Sequence, residues 1–405
     1  MQKIIRSVGA LVLLIGTGLF AAWATSPDPK GNPASFEGEK LIPRLASPDE
    51  AWTLAQAFAD DEGEKLATLL VIGFTGRDVE AVDLSRFTGS RSSDPFAVLR
   101  AVDEDTLAEL FASGPRVRYA YEDIRPAAPN GERHVATGTN FPEHAEEASS
   151  DAVFQFPKFG GASPARTRVE WRDDVLLDYE VELCMRFDRP VSTIEDFDAA
   201  AKGLFLCGDF TDRATLIRLI DPDNLDSGNG FSDGKSRADF YPSGPFLVIP
   251  RDWKSFVAEE RMMTFVNNEP RQDARGKEMT LDFRGLTEKA LRDMEKPRFV
   301  FQGQRYRLTP NPRIAPDMTL MSGTAEGVIF TPPSRADIIE GGLSYLFTGG
   351  WISGQEPIAH IINVFVENEL DSDHYLMSGD VVEFNSSRLG NILIDVTPSR
   401  VAPSR

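Results

Sequence analysis

The segment Val175-Leu-Leu-Asp-Tyr-Glu-Val-Glu-Leu-Cys184 limits the fold more than any other stretch of the chain. Val175, Leu177, Tyr179, Val181 and Leu183 alternate with Asp178, Glu180 and Glu182, and a period of two belongs to a β-strand. Similar short runs recur at 203–209, 245–249, 262–266, 298–302 and 380–384, separated by Gly, Pro and Asp. Many short strands with such spacers predict an α+β, β-rich chain built as a mixed β-sandwich roll with a few helices. Helical patterns at 48–60 and 103–113, with a strand at 67–74, predict a small N-terminal α/β domain over residues 45–130. A break at 126–130 leads into a main domain over 131–400. Residues 329–377 differ: 336–346 and 355–370 read as helices joined by Gly349-Gly350, and form an insertion.

With 43 Lys and Arg against 63 Asp and Glu, the formal charge is −20. No basic stripe is available to replace the counterions of a phosphate backbone, so nucleic acid is excluded as a partner. An acidic membrane surface is disfavoured as the main partner for the same reason. A small anion would need a local device, such as a metal ion. Two Cys exclude a disulfide scaffold and a Cys-rich zinc site, and four His leave little room for a His-based metal centre. At the start, Lys3 and Arg6 precede a nearly apolar run over 8–24 ending in Ala22-Trp-Ala24. This is the pattern of a signal peptide cleaved after Ala24. A retained anchor formed by residues 4–24 is the alternative, since about 20 apolar residues span a bilayer. Residues 25–44 read as a linker. The expected location is outside the cytoplasm, periplasmic or extracellular.

On a strand, Glu180 and Glu182 point the same way with Cα atoms roughly 6.5–7 Å apart. Like charges on one face repel unless water or a cation separates them; a half-buried strand with a wet polar face is the bland reading. A second carboxylate, Asp209, ends the strand pattern 203–209 before a helix pattern at 211–220, with Thr211 as its expected cap. Three carboxylates at strand positions make a hard-oxygen site suited to Mg²⁺, Mn²⁺ or Ca²⁺. A second device is Asn140-Phe-Pro-Glu-His-Ala-Glu-Glu147. Pro142 suits a first helical turn, which puts His144 and Glu147 on one face. The carboxylate can then orient the imidazole as a base; otherwise the stretch is a solvated acidic turn. Gly230-Phe-Ser-Asp-Gly234 matches a nucleophile elbow, but a polar loop precedes it where a strand is needed. Gly234-Lys-Ser236 lacks the earlier glycine of a P-loop, because position 229 is Asn229. Asp371-Ser-Asp-His374 reads as a solvated loop.

Several motifs in order resemble the fumarylacetoacetate hydrolase family. Gly138-Thr-Asn-Phe-Pro-Glu-His-Ala-Glu-Glu147 is similar to its G-x-N-Y-x-x-H-x-x-E opening. Leu177-Asp-Tyr-Glu-Val-Glu-Leu183 resembles its metal motif D-Y-E-x-E-L, and Gly208-Asp-Phe-Thr-Asp-Arg213 its N-D-x-S-x-R. Gly234-Lys-Ser236 followed by Tyr241-Pro-Ser-Gly-Pro-Phe-Leu-Val248 fits the family's G-K-S…C-P-x-G-P-x-L-V. Val266-Asn-Asn-Glu-Pro-Arg-Gln272, Gly323-Thr-Ala-Glu-Gly-Val328 and Ser378-Gly-Asp-Val-Val-Glu383 complete the series. The resemblance implies a homodimer and one divalent metal, Mg²⁺ first, on Glu180, Glu182 and Asp209. It implies that His144 and Glu147 activate water, that Lys235 is catalytic and faces substrate, and that Thr324 and Arg213 bind substrate. The partner implied is a small anionic oxo acid. The implied reaction is metal-dependent hydrolysis of a carbon–carbon bond in an acylpyruvate-like 1,3-diketo acid. Alternatives are 2-oxo acid decarboxylation, keto–enol isomerisation, or oxo-acid binding without turnover. Departures bear on the substrate: Leu216 stands where the family often has Gln, Ala214 replaces Asp after the arginine, and Ala238 replaces the Asp three past the lysine.

The cysteines allow one conditional expectation. If Glu182 and Asp209 oppose each other across an antiparallel pair, Cys184 and Cys207 are opposed too, within reach of a disulfide. In a parallel pair they diverge and remain small buried apolar residues.

Overall fold

The computed structural model describes residues 16–60, 63, 65–148, 150 and 152–399. Its strands are β1 (Ala51–Phe58), β2 (Leu66–Phe74), β3 (Asp78–Asp83), β4 (Arg116–Ala120), β5 (Arg133–Gly138), β6 (Phe154–Phe159) and β7 (Arg166–Trp171). There follow β8 (Leu177–Asp178), β9 (Val181–Phe187), β10 (Lys202–Gly208), β11 (Thr211–Asp212), β12 (Leu247–Pro250), β13 (Arg261–Val266) and β14 (Glu269–Arg275). The last are β15 (Phe299–Phe301), β16 (Gln304–Tyr306), β17 (Leu320–Met321), β18 (Val381–Ser386) and β19 (Asn391–Pro398). Among the described residues a 10-stranded sheet runs β4-β3-β2-β1-β12-β10-β9-β17-β5-β6, and a 5-stranded sheet runs β14-β13-β18-β19-β7. Both are mixed, because β17 runs parallel to β5 and β19 parallel to β7. Phe384 of the smaller sheet packs against Phe210 just beyond β10, so the core lies between the sheets. The mixed, sheet-rich α+β roll expected from the sequence is the observed fold.

Residues 45–130 supply β1 to β4 at one end of the large sheet, where β1 pairs antiparallel with β12. The helix expected over 48–60 is a correction: a turn at 48–50 leads into β1. Its Ala and Leu residues favour helix on propensity, but β1 is sandwiched between β2 and β12 and buried on both faces. Tertiary pairing overrides a weak local preference, and two-sided burial erases the alternation that marks a strand. The other N-terminal helix forms at Glu104–Ser113, with the Asp103 side chain accepting from the Thr106 N–H at its start. Residues 25–44 run as a strap along the body. Asn32 N–H donates to Val328 O at 3.1 Å, and Glu37 pairs with Arg275 at 2.5 Å.

The two helices expected within 329–377 form at Arg335–Phe347 and Pro357–Leu370, antiparallel in one hairpin. Ser334 and Asp337 make a reciprocal capping box at the first helix. Gly341 lets the two backbones close: a Cβ there would sit 2.8 Å from Ile361 Cα. Most of the apolar segment 4–24 lies outside the described residues; 16–24 is helical. No helix among the described residues is long and apolar enough to cross a membrane.

One register organises the centre. β9 and β10 are antiparallel with Glu182 opposite Cys207 and Cys184 opposite Phe205. The same register continues past a break at 179–180 and 209–210, where β8 and β11 pair Asp178 with Thr211. The condition set for the cysteines therefore fails by two residues, since Cys207, not Asp209, faces Glu182. Cys184 and Cys207 are diagonal neighbours, and they still form a disulfide with Cα atoms 5.9 Å apart. Reduction should lower unfolding stability by about 3 kcal/mol, the loop-closure value for a separation of this size. Denaturant midpoints of the oxidised and reduced protein check this. Equal midpoints would show that the bond does not restrain the unfolded chain.

Candidate metal centre and active site

The register brings the acidic residues together. Asp209 lies one residue beyond β10, directly across from Glu180, and donates its N–H to Glu180 O at 2.9 Å. Glu182 sits two residues further along β9 on the same face. Ligand oxygens of Glu180, Glu182 and Asp209 all fall within 4.8 Å of one another, and all three residues are buried. The wet polar face is thus ruled out as an account of this strand: Val181–Phe187 is buried throughout. Asp178, on the same face by alternation, serves another purpose. It accepts from the Ile329 and Phe330 N–H groups at 3.0 and 3.1 Å and from Arg213 Nε at 2.8 Å.

Cations surround the triad. Lys235 Nζ is 2.8 Å from Glu180 Oε1 and donates to Thr211 Oγ1 at 2.7 Å. It is also 3.1 Å from Asp209 Oδ2, an ion-pair contact without hydrogen-bond alignment. Arg213 Nη2 reaches Glu180 Oε1 at 2.7 Å. Lys158 Nζ bonds Asp209 Oδ1 at 2.6 Å and also donates to the Lys235 carbonyl. Burial works to raise the Glu180 carboxyl, but Lys235 and then Arg213 hold it below the usual carboxylate range. Glu182 has less help, from Lys235 and the Gly323 N–H. Burial, then Asp209 and Glu180, push its carboxyl well above that range. Burial opposes the charge on Lys235, yet Asp209 and Glu180 hold it above the usual lysine value. Lys158 goes the other way: burial outweighs its attraction to Asp209.

These residues fit a divalent cation. With every group ionised, four buried carboxylates (Asp178, Glu180, Glu182, Asp209) stand against three buried cations (Lys158, Arg213, Lys235), and it is Glu182 whose charged form burial, Asp209 and Glu180 oppose. Glu182 Oε2 accepts from the Gly323 N–H at 2.8 Å, whereas Glu182 Oε1 is buried with no hydrogen-bond partner among the described residues. A buried carboxylate oxygen left bare is costly, and a hard cation shared with Glu180 and Asp209 removes that cost.

The short helix expected from Pro142 forms at Pro142–Glu147, and His144 and Glu147 meet on it. His144 Nδ1 lies 2.9 Å from Glu147 Oε2. Glu147 Oε1 accepts from the Gly327 N–H at 2.8 Å, so the carboxylate also ties the helix to the loop after β17. A carboxylate accepts, so Nδ1 is the ring nitrogen that donates to Glu147, and Nε2 is the one not engaged by it. His144, Glu147, Glu180, Arg213, Lys235 and Thr324 line one cavity of about 80 Å³. The rest of its wall is apolar, including Phe154, Leu216, Ile220, Phe231, Val328 and Phe330. A larger groove of about 680 Å³ runs beside the strap at Phe36 and Met263, but its Arg261 is already paired with Asp273, and the triad and His144 lie elsewhere.

The expected substrate residues are placed unequally. Lys235 faces the cavity. Thr324 lines it, but its hydroxyl donates to Val181 O at 2.9 Å and accepts from Gln272 Nε2 at 2.9 Å. Arg213 is committed to Asp178 and Glu180. Thr211 was expected to cap the following helix; Asp212 does so instead, accepting from the Thr215 N–H, while the Thr211 hydroxyl accepts from Lys235. Ser232 of the elbow-like motif is buried and donates to Pro157 O at 2.6 Å, so it is not poised as a nucleophile. Lys158 was missed. Its signal was a lone lysine inside the apolar run Phe154-Gln-Phe-Pro-Lys-Phe159, where a buried cation must have an anionic partner.

The family model described as fumarylacetoacetate (FAA) hydrolase C-terminal matches residues 133–397. The chain belongs to the fumarylacetoacetate hydrolase family. Solved structures agree on the fold. A fumarylacetoacetate hydrolase from psychrophilic Exiguobacterium antarcticum is 17% identical with a TM-score of 0.53, over 86% of this chain and 100% of that one. A 5-carboxymethyl-2-hydroxymuconate delta-isomerase from Mycobacterium smegmatis is 16% identical with a TM-score of 0.50, again over 86% and 100%. A probable 2-hydroxyhepta-2,4-diene-1,7-dioate isomerase from Mycobacterium abscessus is 18% identical with a TM-score of 0.50, over 87% and 100%. No curated protein matches the chain. Membership places this chain in a family of hydrolases, and the acidic triad is a site that could hold a divalent metal.

Proposed function

We propose that the chain hydrolyses a carbon–carbon bond in an acylpyruvate-like 1,3-diketo acid whose acyl group is apolar. The observation that carries this reading is the His144–Glu147 pair lining the same cavity as Lys235 and Glu180 of the triad. A bound divalent cation, Mg²⁺ first, would supply Lewis acidity to the 2-oxo acid end. Lys235 offers positive charge to the same end. His144 Nε2 takes a proton from water as the water oxygen adds to the distal carbonyl carbon. The carbon–carbon bond then breaks with its electron pair leaving on the pyruvyl fragment as an enolate, which takes a proton at carbon. The products are a carboxylate and a 2-oxo acid.

Leu216, Ile220, Phe231 and Phe330 support the apolar acyl group. A second carboxylate placed against them would be buried without a partner. The cavity, at about 80 Å³, is below the roughly 300–1,000 Å³ of ordinary ligand sites. The lid helix at Pro142–Glu147 and the loop bonded to it must therefore move apart to admit substrate. Keto–enol isomerisation is the second reading, supported by the isomerases among the structures of similar fold, with 2-oxo acid decarboxylation as its variant on the same metal site. An exported chain suits this site, because the Cys184–Cys207 disulfide is of the kind that persists in oxidising compartments.

Acetylpyruvate, a longer alkanoylpyruvate, an acid-terminated analogue and oxaloacetate, each with Mg²⁺ or Mn²⁺, test the proposal. Loss of enol absorbance without CO₂ is expected, with kcat/KM at least about tenfold higher for the alkanoyl compound than for the acid-terminated one. Release of CO₂ from oxaloacetate alone would move the assignment to decarboxylation. No turnover with retained metal affinity would leave a binder.

A further inference from the structure

We propose that the insertion hairpin is a membrane-interfacial element that sets its tip into the surface of an uncharged bilayer. Residues 341–355, Gly-Gly-Leu-Ser-Tyr-Leu-Phe-Thr-Gly-Gly-Trp-Ile-Ser-Gly-Gln, hold no charged side chain in a protein that is 26% charged. The hairpin buries its inner face through Gly341, Phe365 and Val366, yet its tip is bare. Phe347 is 85% exposed, Ile352 72% and Trp351 63%, with Leu346 and Ile358 beside them. Isolated exposed apolar residues are ordinary; a contiguous set at a protruding tip marks an interaction surface. Phe and Trp over a charge-free turn suit the interfacial layer of a bilayer.

The N-terminal strap says what covers it. Ala336 N–H donates to Ser26 Oγ at 3.2 Å, and Trp23 Nε1 donates to Glu340 Oε1 at 2.6 Å. Going back from 26 to 23 matches going forward from 336 to 340. The helix at 16–24 therefore runs antiparallel along the first insertion helix. Leu19 and Phe20 are exposed on that helix, as Leu343, Leu346 and Phe347 are on the first insertion helix. With residues 4–24 retained as an anchor rather than cleaved, the apolar helix at 16–24 is tied to the hairpin, and both present exposed apolar side chains. A second copy of the chain would need a complementary face; a lipid surface needs only apolar area. The net charge of −20 repels anionic headgroups, which fixes the lipid as uncharged.

The native cysteines are joined to each other, so a thiol-reactive fluorophore on full-length Phe347→Cys reports the tip alone. Phe87→Cys, on the exposed side of helix Leu84–Thr88, is the control. With phosphatidylcholine vesicles, the dye at 347 should shift to the blue and be quenched by spin-labelled lipid, and the dye at 87 should not. Unlabelled Trp351→Glu, in which an exposed residue changes, should lose the lipid-induced Trp fluorescence shift while keeping the wild-type melting temperature. Three outcomes overturn the proposal. In one, the protein floats with vesicles while the dye at 347 stays in water. In another, binding occurs only on anionic vesicles. In the third, a lipid-independent, concentration-dependent blue shift accompanies dimerisation and assigns the tip to a second copy.

Discussion

Glu182→Gln is expected to abolish the metal response of the protein while leaving the metal-free fold as stable as wild type, or more so. In the wild type, Glu182 is a buried carboxylate with one bare oxygen and two like charges nearby. The amide keeps an acceptor for the Gly323 N–H, occupies the same volume and removes a group whose charged form burial, Asp209 and Glu180 oppose. Without a cation, then, nothing is lost. With one, wild type should gain about 2.7 kcal/mol at a metal concentration 100 times Kd, and the variant almost nothing. Turnover should fall by about three orders of magnitude, the scale of a missing Lewis acid. Melting curves with and without Mg²⁺, Mn²⁺ and Ca²⁺ read this directly. A wild type that melts at one temperature under all three would sink the metal site. A variant that melts far below wild type without metal would show that Glu182 holds the fold together.

The triad was legible because three features coincide in sequence: a period of two, two glutamates in phase with it, and a strand that stops at Asp209. The way they meet was not legible. Alternation gives faces, and register comes from pairing; a shift of two residues leaves faces unchanged. That is why the disulfide could form although Glu182 does not oppose Asp209. Residues whose part depends on distant partners were invisible for a related reason. Gly323, Gly327 and Lys158 reach the site from other strands and loops, and only the fold sets those distances. β1 was misread because a strand buried on both faces carries no alternation. The insertion helices were legible to within two residues, because Ser334 caps one and Pro357 begins the other.

His144→Ala is expected to stop hydrolysis and spare the metal. The imidazole stands on a short helix whose other bonds, through Glu147 to Gly327, do not involve the triad. Removing it costs a positioned general base, worth roughly 10²–10⁴ in rate. Glu147→Gln should act more mildly on the same step. Its amide can no longer fix Nδ1 as the donor, although it can still meet the Gly327 N–H. The metal-dependent rise in melting temperature should be unchanged in both variants, because the carboxylates on β9 and beyond β10 are untouched. The combination discriminates between the proposed chemistries. If the aimed water is the nucleophile, His144→Ala loses diketo-acid cleavage but keeps metal-assisted enolisation of the 2-oxo acid, seen as proton–deuteron exchange at the carbon next to the carbonyl. If both vanish together, His144 serves the enolate itself, and the site is an isomerase. If metal affinity falls in step with activity, the lid is coupled to the triad, and the separation of base from Lewis acid on which the hydrolytic reading stands is wrong.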